Sequence, residues 1–582
     1  MKKIISLCIA IVMCFGLVAC GNNGDTNIDE THKHEEPSIS APNDVIAGIK
    51  IDLSDSKILV DGEEISTDTN FDVYAAHDIV YYEDGKDFTY GEGLETDAHS
   101  KEEADKHVVV HITKPGTYIL EGTLSAGQIA IDLGKDAKTD PTAVVNLYLD
   151  GVNITNTLAP AIIFYNVYEP FDDATEETAT KDVDTSKAGA NVYIVDGSVN
   201  SITGSHVARI YKPESVVLNE EKTEVIDEKK LHKYDAAFYS KMTMNINGGK
   251  LGTGVLDIVA DNEGMGSEMH LTINGGDVHI HSVDDGINTN EDFVSVTTIN
   301  GGRVYIVVSG SNGEGDGIDS NGWIIVNGGY LHTEACGKSP DSGLDSDLGV
   351  YINGGTIMSS GRVTDAIAGA SQNFAIFNFN AIQKNETYEL KDESGNVIVS
   401  FTPENTFKFL LISSPELKNG KYTLWSGDVQ FEGMPSQGEM GPGMRPGNEG
   451  DFGEGPGPGE MPEKPEGTPG HEGERPDHVD IPTPPGQGYP MPTPPSVPTI
   501  PCVPPSNPPE EPGNVEPGIP ALPEEPSMDG IVGSGITVPG RPGNSSSVDE
   551  SAESSSLFEI VSGGNYFSYV KPVENKNISL NG

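Results

Sequence analysis

Four Gly-containing acidic turns, Asn262-Glu263-Gly264, Asp284-Asp285-Gly286, Gly315-Asp316-Gly317 and Asp341-Ser342-Gly343, stand along one stretch of this chain. Two residues after each turn Gly come Gly266, Asn288, Asp319 and Asp345, and four residues after it Glu268, Asn290, Asn321 and Asp347. Asp365 extends the series one unit further. If the turns stack one strand spacing apart, neighbouring negative charges repel by about 3 kcal/mol per pair at an effective dielectric near 20. Either some carboxylates take up protons or a cation sits among them. Calcium suits such a set, because it accepts six to eight oxygens from carboxylates, amides and backbone carbonyls in a flexible shell. Magnesium demands a stricter octahedron, and zinc prefers the Cys and His that these turns lack. The candidate ligands are Asp284, Asp285, Asn288, Asp316, Asp319, Asn321, Asp341, Asp345 and Asp347. The competing reading is that Asp-Gly and Asn-Gly simply make turns. Steps of 22, 31 and 26 residues between the turn glycines mean that not every turn need hold an ion.

Stacking such turns requires a repeat. Asn-Gly-Gly recurs from Asn247, Asn274, Asn300, Asn327 and Asn353, at steps of 27, 26, 27 and 26 residues. A near-constant period of this size marks repeated supersecondary units. Directly before the Asn stand Ile246, Ile273, Ile299, Val326 and Ile352; three before it stand Met244, Leu271, Thr297, Ile324 and Val350. Two residues after the second Gly come Leu251, Val278, Val304, Leu331 and Ile357. Alternation of these positions with polar ones is the period-2 signature of half-buried strands. The pattern predicts an all-β chain, a right-handed parallel β-helix whose equivalent residues stack into apolar columns. Gly permits the tight corner, and the stacked Asn side chains form an amide ladder.

Between the apolar columns lie outward ones. The first position after each Gly-Gly reads Lys250, Asp277, Arg303, Tyr330 and Thr356, and the third reads Gly252, His279, Tyr305, His332 and Met358. Tyr305 and Tyr330, flanked by Arg303, His279 and His332, form a strip suited to stacking a pyranose ring and bonding its hydroxyls. Ordinary surface, or cover by an inserted loop, is the competing reading. A lyase would need calcium on a uronate carboxylate and a basic group to remove the C5 proton. Arg303, Lys338 and Arg362 are the candidates for that base, Lys338 first because it just precedes Asp341. A third class of function is a structural adhesin that uses a stiff repeat as a spacer.

Lys2 and Lys3, the apolar run Ile4–Leu17 and Leu17-Val18-Ala19-Cys20-Gly21 read as a bacterial lipoprotein signal, residues 1–19, with Cys20 lipidated. The mature chain is then expected on the outer face of the cell membrane, held by acyl chains. Only Cys336 and Cys502 remain beyond it, so no disulfide framework is expected, and Cys336 reads as a small buried residue. The net charge is −55, or −57 once Lys2 and Lys3 leave with the signal. Such a surface repels nucleic acid and anionic lipid headgroups. It repels an acidic polysaccharide too unless divalent cations bridge the two. The expected organisation is a flexible stalk at 20–43, the β-helix at 44–370 and a small β-sandwich-like module at 371–432. A disordered Pro/Gly/Glu-rich segment follows at 433–556, and a strand segment at 557–582. Charged insertions at Glu169–Lys187 and Tyr211–Lys233 are expected as loops on one side, and the protein is expected to be a monomer.

The segments VVVHITKPGTYILEGTLSAGQIAIDL, VVNLYLDGVNITNTLAPAII and LTINGGDVHIHSVDDGINTNEDFVSVTTINGG, with GDGIDSNGWIIVNGG, resemble the bacterial carbohydrate-binding β-helix lipoproteins. Those proteins are related in fold to calcium-dependent, pectate-lyase-like polysaccharide lyases. The resemblance covers roughly Val108 to Ile367. It implies a calcium-containing parallel β-helix that binds cell-wall polysaccharide, best matched by acidic pectic sugars. Asp284 to Gly286 and Asp316-Gly317 match the family's metal turns. Asp235-Ala236-Ala237 and Asn262-Glu263-Gly264 depart from them, which puts ligation at those two places in doubt.

Overall fold

The computed structural model describes residues 46–436 and 554–573. The signal, the stalk and most of the Pro/Gly/Glu-rich segment lie outside the described residues. The elements below all belong to the unit Ala47–Gly582. Among the described residues no helix is long and apolar enough to cross a membrane.

The protein is almost entirely β. Its repeats build three ladders in which each strand pairs in parallel with its counterpart one repeat on. The first ladder runs from Gly116–Leu124 through Val145–Thr155, Ala190–Ile194, Met244–Gly248, Leu271–Ile273, Val296–Ile299, Trp323–Val326 and Gly349–Ile352. The second takes the far half of Val145–Thr155, then Val199–Gly204, Val255–Ala260, Asp277–Ser282, Arg303–Val308, Tyr330–Glu334 and Thr356–Gly361. The third stacks Val108–Ile112, Gly127–Asp132, Ile162–Asn166, Ala236–Ser240, Glu263–Ser267, Ile287–Thr289, Ile318–Ser320 and Leu344–Ser346. From Met244 to Ser346 the chain visits the ladders in the order first, second, third, and begins again. Each Asn-Gly-Gly lies between the first ladder and the second, and each acidic turn between the second and the third.

Inward residues from the strands of all three ladders feed a shared apolar core. Ile246, Ile273, Ile299, Val326 and Ile352 are fully buried from the first ladder. Leu256, Val278, Val304, Leu331 and Ile357 face them from the second, and Met265, Ile287, Ile318 and Leu344 from the third. Leu251 is a correction, because it lies 43% exposed. The chain makes a short excursion at Lys250–Gly254, with Gly252 in the left-handed region (φ 62°), so Leu256 takes the place beside Val278. Strand alternation resumes only from Val255, which moves every outward position of that unit as well. Asp257, rather than Gly252, lies beside His279.

The exposed Asn side chains form a continuous file. Asn274, Asn300, Asn327 and Asn353 each donate an amide hydrogen to the side-chain oxygen of the preceding Asn, at 3.0, 2.8, 2.8 and 2.8 Å. Gly302 at the corner has φ 81°, and a Cβ there would meet the Gly276 carbonyl at 2.5 Å.

The two charged insertions lie on different ladders, not on one side. Thr185 bonds Asn245 and Thr272 on the outer face of the first ladder, and Lys181 stands over the Tyr351 ring. The second insertion forms a hairpin of Val207–Tyr211 with Lys230–Tyr234. Its Val207, Ile210 and Tyr234 pack with Ile163 and Tyr239 on the outer face of the third ladder.

The C-terminal module continues the second ladder. Phe407–Ser413 pairs antiparallel with Thr356–Gly361 and with Phe374–Gln383, which covers the last strand edge of that ladder. Tyr388–Asp392, Val397–Phe401 and Gly420–Ser426 pair antiparallel beside it. Two late strands complete the module: Phe558–Ile560 on Gly420–Ser426, and Gly564–Pro572 between Phe374–Gln383 and Val429–Ser436. Phe377, Phe379, Phe407, Phe558, Phe567 and Val570 form its separate apolar core.

Candidate cation and glycan sites

The third ladder sets the register of the acidic residues. Gly266, Asn288, Asp319 and Asp345 are successive partners in it. A second row, Glu263, Asp285 and Asp316, lies just upstream at the turns, and Glu268, Asn290, Asn321 and Asp347 lie downstream. Backbone bonds tie the turns together: the Asp285 carboxylate accepts the Asp316 N–H at 2.7 Å, and Asp316 accepts that of Ser342 at 2.6 Å. Asp365 joins at the far end, accepting the Ser346 N–H at 2.9 Å.

Closeness and burial raise the protonation of these carboxyls above their ordinary range. Desolvation, then the charges of Asp345 and Asp285, push Asp316 up to about 10. Asp319 rises to about 7 through desolvation and the charges of Asp345 and Asp347. Asp365 rises to about 8, from burial first and then Asp345. Asp285 rises well above its ordinary value by desolvation and the Asp319 charge; Glu263 does so by desolvation and Asp235. Asp284 is raised by burial and Glu314, and the exposed Asp347 by desolvation and Asp345.

Two buried oxygens here lack any hydrogen-bond partner, Glu263 Oε2 and Asn288 Oδ1. Their residues are 6% and 9% exposed, so water does not freely satisfy them. The Asn288 amide donates to Glu263 at 3.0 Å and to Asp285 at 3.3 Å, while its own oxygen is left without a partner. A Cβ at Gly266 would stand 3.0 Å from the Ala236 Cβ and 3.1 Å from the Tyr239 ring, a tight fit that those neighbours would have to yield slightly to admit. Donors that are all oxygens, partly orphaned and crowded with charge, fit a hard cation such as calcium. Among the described residues, no three His, Cys, Asp or Glu side chains already converge on one point. A cation would therefore draw on amide and backbone carbonyls as well as on two carboxylates.

The candidate ligands do not form one undivided group. Asp285, Asn288, Asp316, Asp319 and Asp345 share the file. Asp341 accepts the Gly315 N–H at 3.0 Å and the Ser339 hydroxyl, a loop-fixing role. Asn321 donates to the Asn290 carbonyl at 2.9 Å and to Asp292 at 2.7 Å, so it faces the outer rim with Asp347. Sequence reasoning undervalued Glu263, whose register with Asp285 follows from a 22-residue step that the turns alone do not mark as a strand pairing. It missed Lys233, whose ammonium lies 2.9 Å from Asp235 beside Glu263.

The aromatic strip lies on the second ladder, where Arg303 and Tyr330, and likewise His279, Tyr305 and His332, are register partners. The Arg303 guanidinium stands 4.9 Å over the Tyr330 ring, and His279 bridges Asp257 at 2.8 Å and Asp277 at 3.0 Å. His332 is a correction: it is buried, bonded to Glu334 at 2.6 Å and packed on Phe401 of the C-terminal module. The module's turn closes over it, so His332 does not face a ligand. Tyr305, half-buried at the edge of that cover, donates to Glu404 at 3.1 Å. The open part of the strip is Arg303, His279 and one side of Tyr305.

Of the three basic residues considered for proton abstraction, Arg303 lies over the Tyr330 ring, and the other two hold loops. Lys338 donates to the Gly310 carbonyl at 2.9 Å, and Arg362 to that of Gly337 at 2.8 Å.

Residues 106–191 and 183–385 match the model of the family described as carbohydrate-binding domain-containing protein. The matched stretch contains most of the strands of the three ladders and spans just under half of the chain. A "Carbohydrate-binding domain-containing protein" of Acetivibrio thermocellus is 30% identical over 172 residues, 29% of this chain. The match spans less than half of that relative's length, 44%. A solved structure titled as the polysaccharide lyase-like protein from C. thermocellum, gadolinium derivative, is 20% identical and covers 56% of this chain and 97% of its own, at a TM-score of 0.31.

Proposed function

We propose that the three ladders are the faces of a right-handed parallel β-helix that binds polysaccharide at the cell surface with calcium along its acidic file. The observation that carries the reading is the in-register row Asn288, Asp319 and Asp345 beside Glu263, Asp285 and Asp316, with two buried oxygens left unpartnered. Calcium there cancels repulsion between stacked carboxylates and satisfies the orphaned oxygens. A hard cation at the surface of a strongly acidic protein also bridges to a uronate carboxylate, which favours an acidic, pectin-like glycan. Arg303, His279 and Tyr305 on the adjoining ladder supply the polar and aromatic contacts that hold a sugar chain. The likeness to the carbohydrate-binding family supports the polysaccharide and leaves its identity to experiment. With Lys338 and Arg362 tied to carbonyls, binding rather than elimination is the activity. Cys20, through its acyl chains, places the domain outside the cell membrane; a Cys20→Ala variant is expected in the soluble fraction, unlabelled by fatty acid.

The deciding experiment is titration calorimetry of the full chain without its signal against polygalacturonate, with calcium and after chelation, while absorbance at 235 nm is followed. Heat only with calcium and a flat absorbance support the reading. Rising absorbance would make the protein a lyase, and no heat in either condition would leave calcium a folding role alone.

A further inference from the structure

The C-terminal module carries a concave site that neither the acidic file nor the aromatic strip uses. Tyr388, Leu390, Tyr422 and Leu424 alternate into the module's core, so Glu389, Lys391, Thr423 and Trp425 stand outward on two paired strands. Lys391 lies opposite Thr423 and Glu389 opposite Trp425. Together with Glu393, Asp428 and the half-exposed Leu557, the side chains of Lys391, Thr423 and Trp425 line an open cleft of about 620 Å³. That volume lies within the range of small-ligand sites, about 300–1,000 Å³.

The Trp425 ring is held in place. Its Nε1 donates to the Thr423 hydroxyl at 2.8 Å, and the Lys391 ammonium stands 5.4 Å from the ring centroid, itself paired with Glu389 at 2.8 Å. A half-exposed indole whose one polar atom is already satisfied offers surface that only an apolar face can use. Around it lie the exposed carboxylates Glu393 and Asp428, acceptors for hydroxyl groups. Asp392 is spent on its own turn, accepting the Ser394 and Asn396 N–H groups at 2.9 and 2.8 Å.

We propose that this cleft is a second glycan-binding site, specific for a neutral pyranose. The C–H face of the ring lies on Trp425 and Leu557, and its hydroxyls donate to Glu393 and Asp428. With Lys391 neutralised by Glu389, the remaining carboxylates repel a uronate and accept neutral hydroxyls. The site is therefore complementary to the calcium-dependent one rather than a copy of it.

Trp323 and Trp425 are the chain's two tryptophans, so a Trp323→Phe variant makes intrinsic fluorescence a local reporter of the cleft. The full chain bearing that change is titrated with neutral hexaoses of glucose, mannose and galactose, and separately with hexagalacturonate. A saturable blue shift with at least one neutral hexaose, absent with hexagalacturonate, is expected. A Glu393→Ala/Asp428→Ala variant with unchanged melting temperature should weaken that binding at least tenfold. Silence of Trp425 toward all three neutral sugars, or a larger response to hexagalacturonate, overturns the proposal. Either result is independent of calcium-dependent binding at the ladders, which this fluorophore does not report.

Discussion

The carboxylate of Glu334, fully buried at the end of a second-ladder strand, accepts the backbone N–H of Asn405 at 2.8 Å. It also takes the Glu404 N–H at 2.9 Å and bonds His332 at 2.6 Å. One side chain thus fixes the turn of the C-terminal module onto the repeat. Glu334→Ala leaves two amide donors and an imidazole without their acceptor, at about 1–3 kcal/mol each where water cannot enter. Urea denaturation should show a loss of about 3 kcal/mol or more, with protease cutting near Glu404 before global unfolding. A loss under 1 kcal/mol would mean that the turn is held by other contacts.

Much of this architecture was legible from spacing. The Asn-Gly-Gly period located the first ladder, because Asn247 to Asn353 bond to one another at a near-constant repeat that tolerates little else at the corner. Period fails where a unit changes length: the excursion at Lys250–Gly254 displaced Leu251, and no local pattern marks such an insertion. Burial of His332 was invisible for a different reason. Its cover comes from Phe401 and Glu404, some seventy residues away, and alternation assigns a side chain to the outer face without saying what lies on that face. The acidic file was found through its turns, whereas the unpartnered oxygens of Glu263 and Asn288 depend on side-chain orientation.

Completion of the C-terminal module by its late strands has a consequence for truncation. Phe558, Ile560, Phe567 and Val570 are buried in the core built by Phe374–Ser436, and Gly433 and Ser555 exchange backbone hydrogen bonds at 2.9 Å. Ending the chain after Ser436 removes these four apolar side chains, each worth about 1.5–3 kcal/mol when buried. Such a chain should expose the module to limited proteolysis while the repeat stays folded. Cutting between 437 and 553 instead should leave two fragments that copurify under native conditions and separate in denaturant. Fragments that separate without denaturant would count against the strand pairing of Gly564–Pro572.

The Asn file makes a graded prediction. Asn300 accepts from Asn327 and donates to Asn274, whereas Asn353, at the end of the run, lacks a following Asn. Asn300→Ala should cost about 1–2 kcal/mol and Asn353→Ala roughly half of that, since each exposed bond is worth about 0.5–1.5 kcal/mol. Gly302→Ala should exceed both, because it adds a clash with the Gly276 carbonyl to an unfavourable φ. Thermal melts of the three variants check the order; equal effects would reduce the file to a surface ornament.

Calcium, if it occupies the acidic file, should appear as stability. At a hundred times its dissociation constant a ligand adds about 2.7 kcal/mol, so chelation should lower the melting temperature by several degrees. An Asp316→Asn/Asp319→Asn variant separates ion binding from charge relief. Without calcium it should melt above the chelated parent, because the cost of raising the protonation of two buried carboxyls is gone, and added calcium should barely move it. A variant that still responds fully to calcium would place the ion elsewhere.

His270 provides a test by pH that is separate from the carboxylates. Its ring is buried, accepts the Val296 N–H at 3.0 Å through Nδ1 and meets Phe171 edge-on at 4.5 Å. Burial pushes its protonation down to about 3, against an ordinary value of 6.5. The unfolded chain therefore binds the proton more readily than the folded one between those two limits. The stability contributed by neutral His270 is complete above pH 6.5 and declines as the pH falls toward 3, by up to about 1.4 kcal/mol per unit. His270→Phe loses the acceptor for Val296 at every pH, a roughly constant penalty, but gives up this slope. Urea titrations at pH 7.5 and 4.5 should find the parent well ahead at the higher pH and its lead reduced by about 2.7 kcal/mol at the lower. A lead that stays constant would mean that His270 takes up its proton without disturbing the packing of Phe171 and Val296.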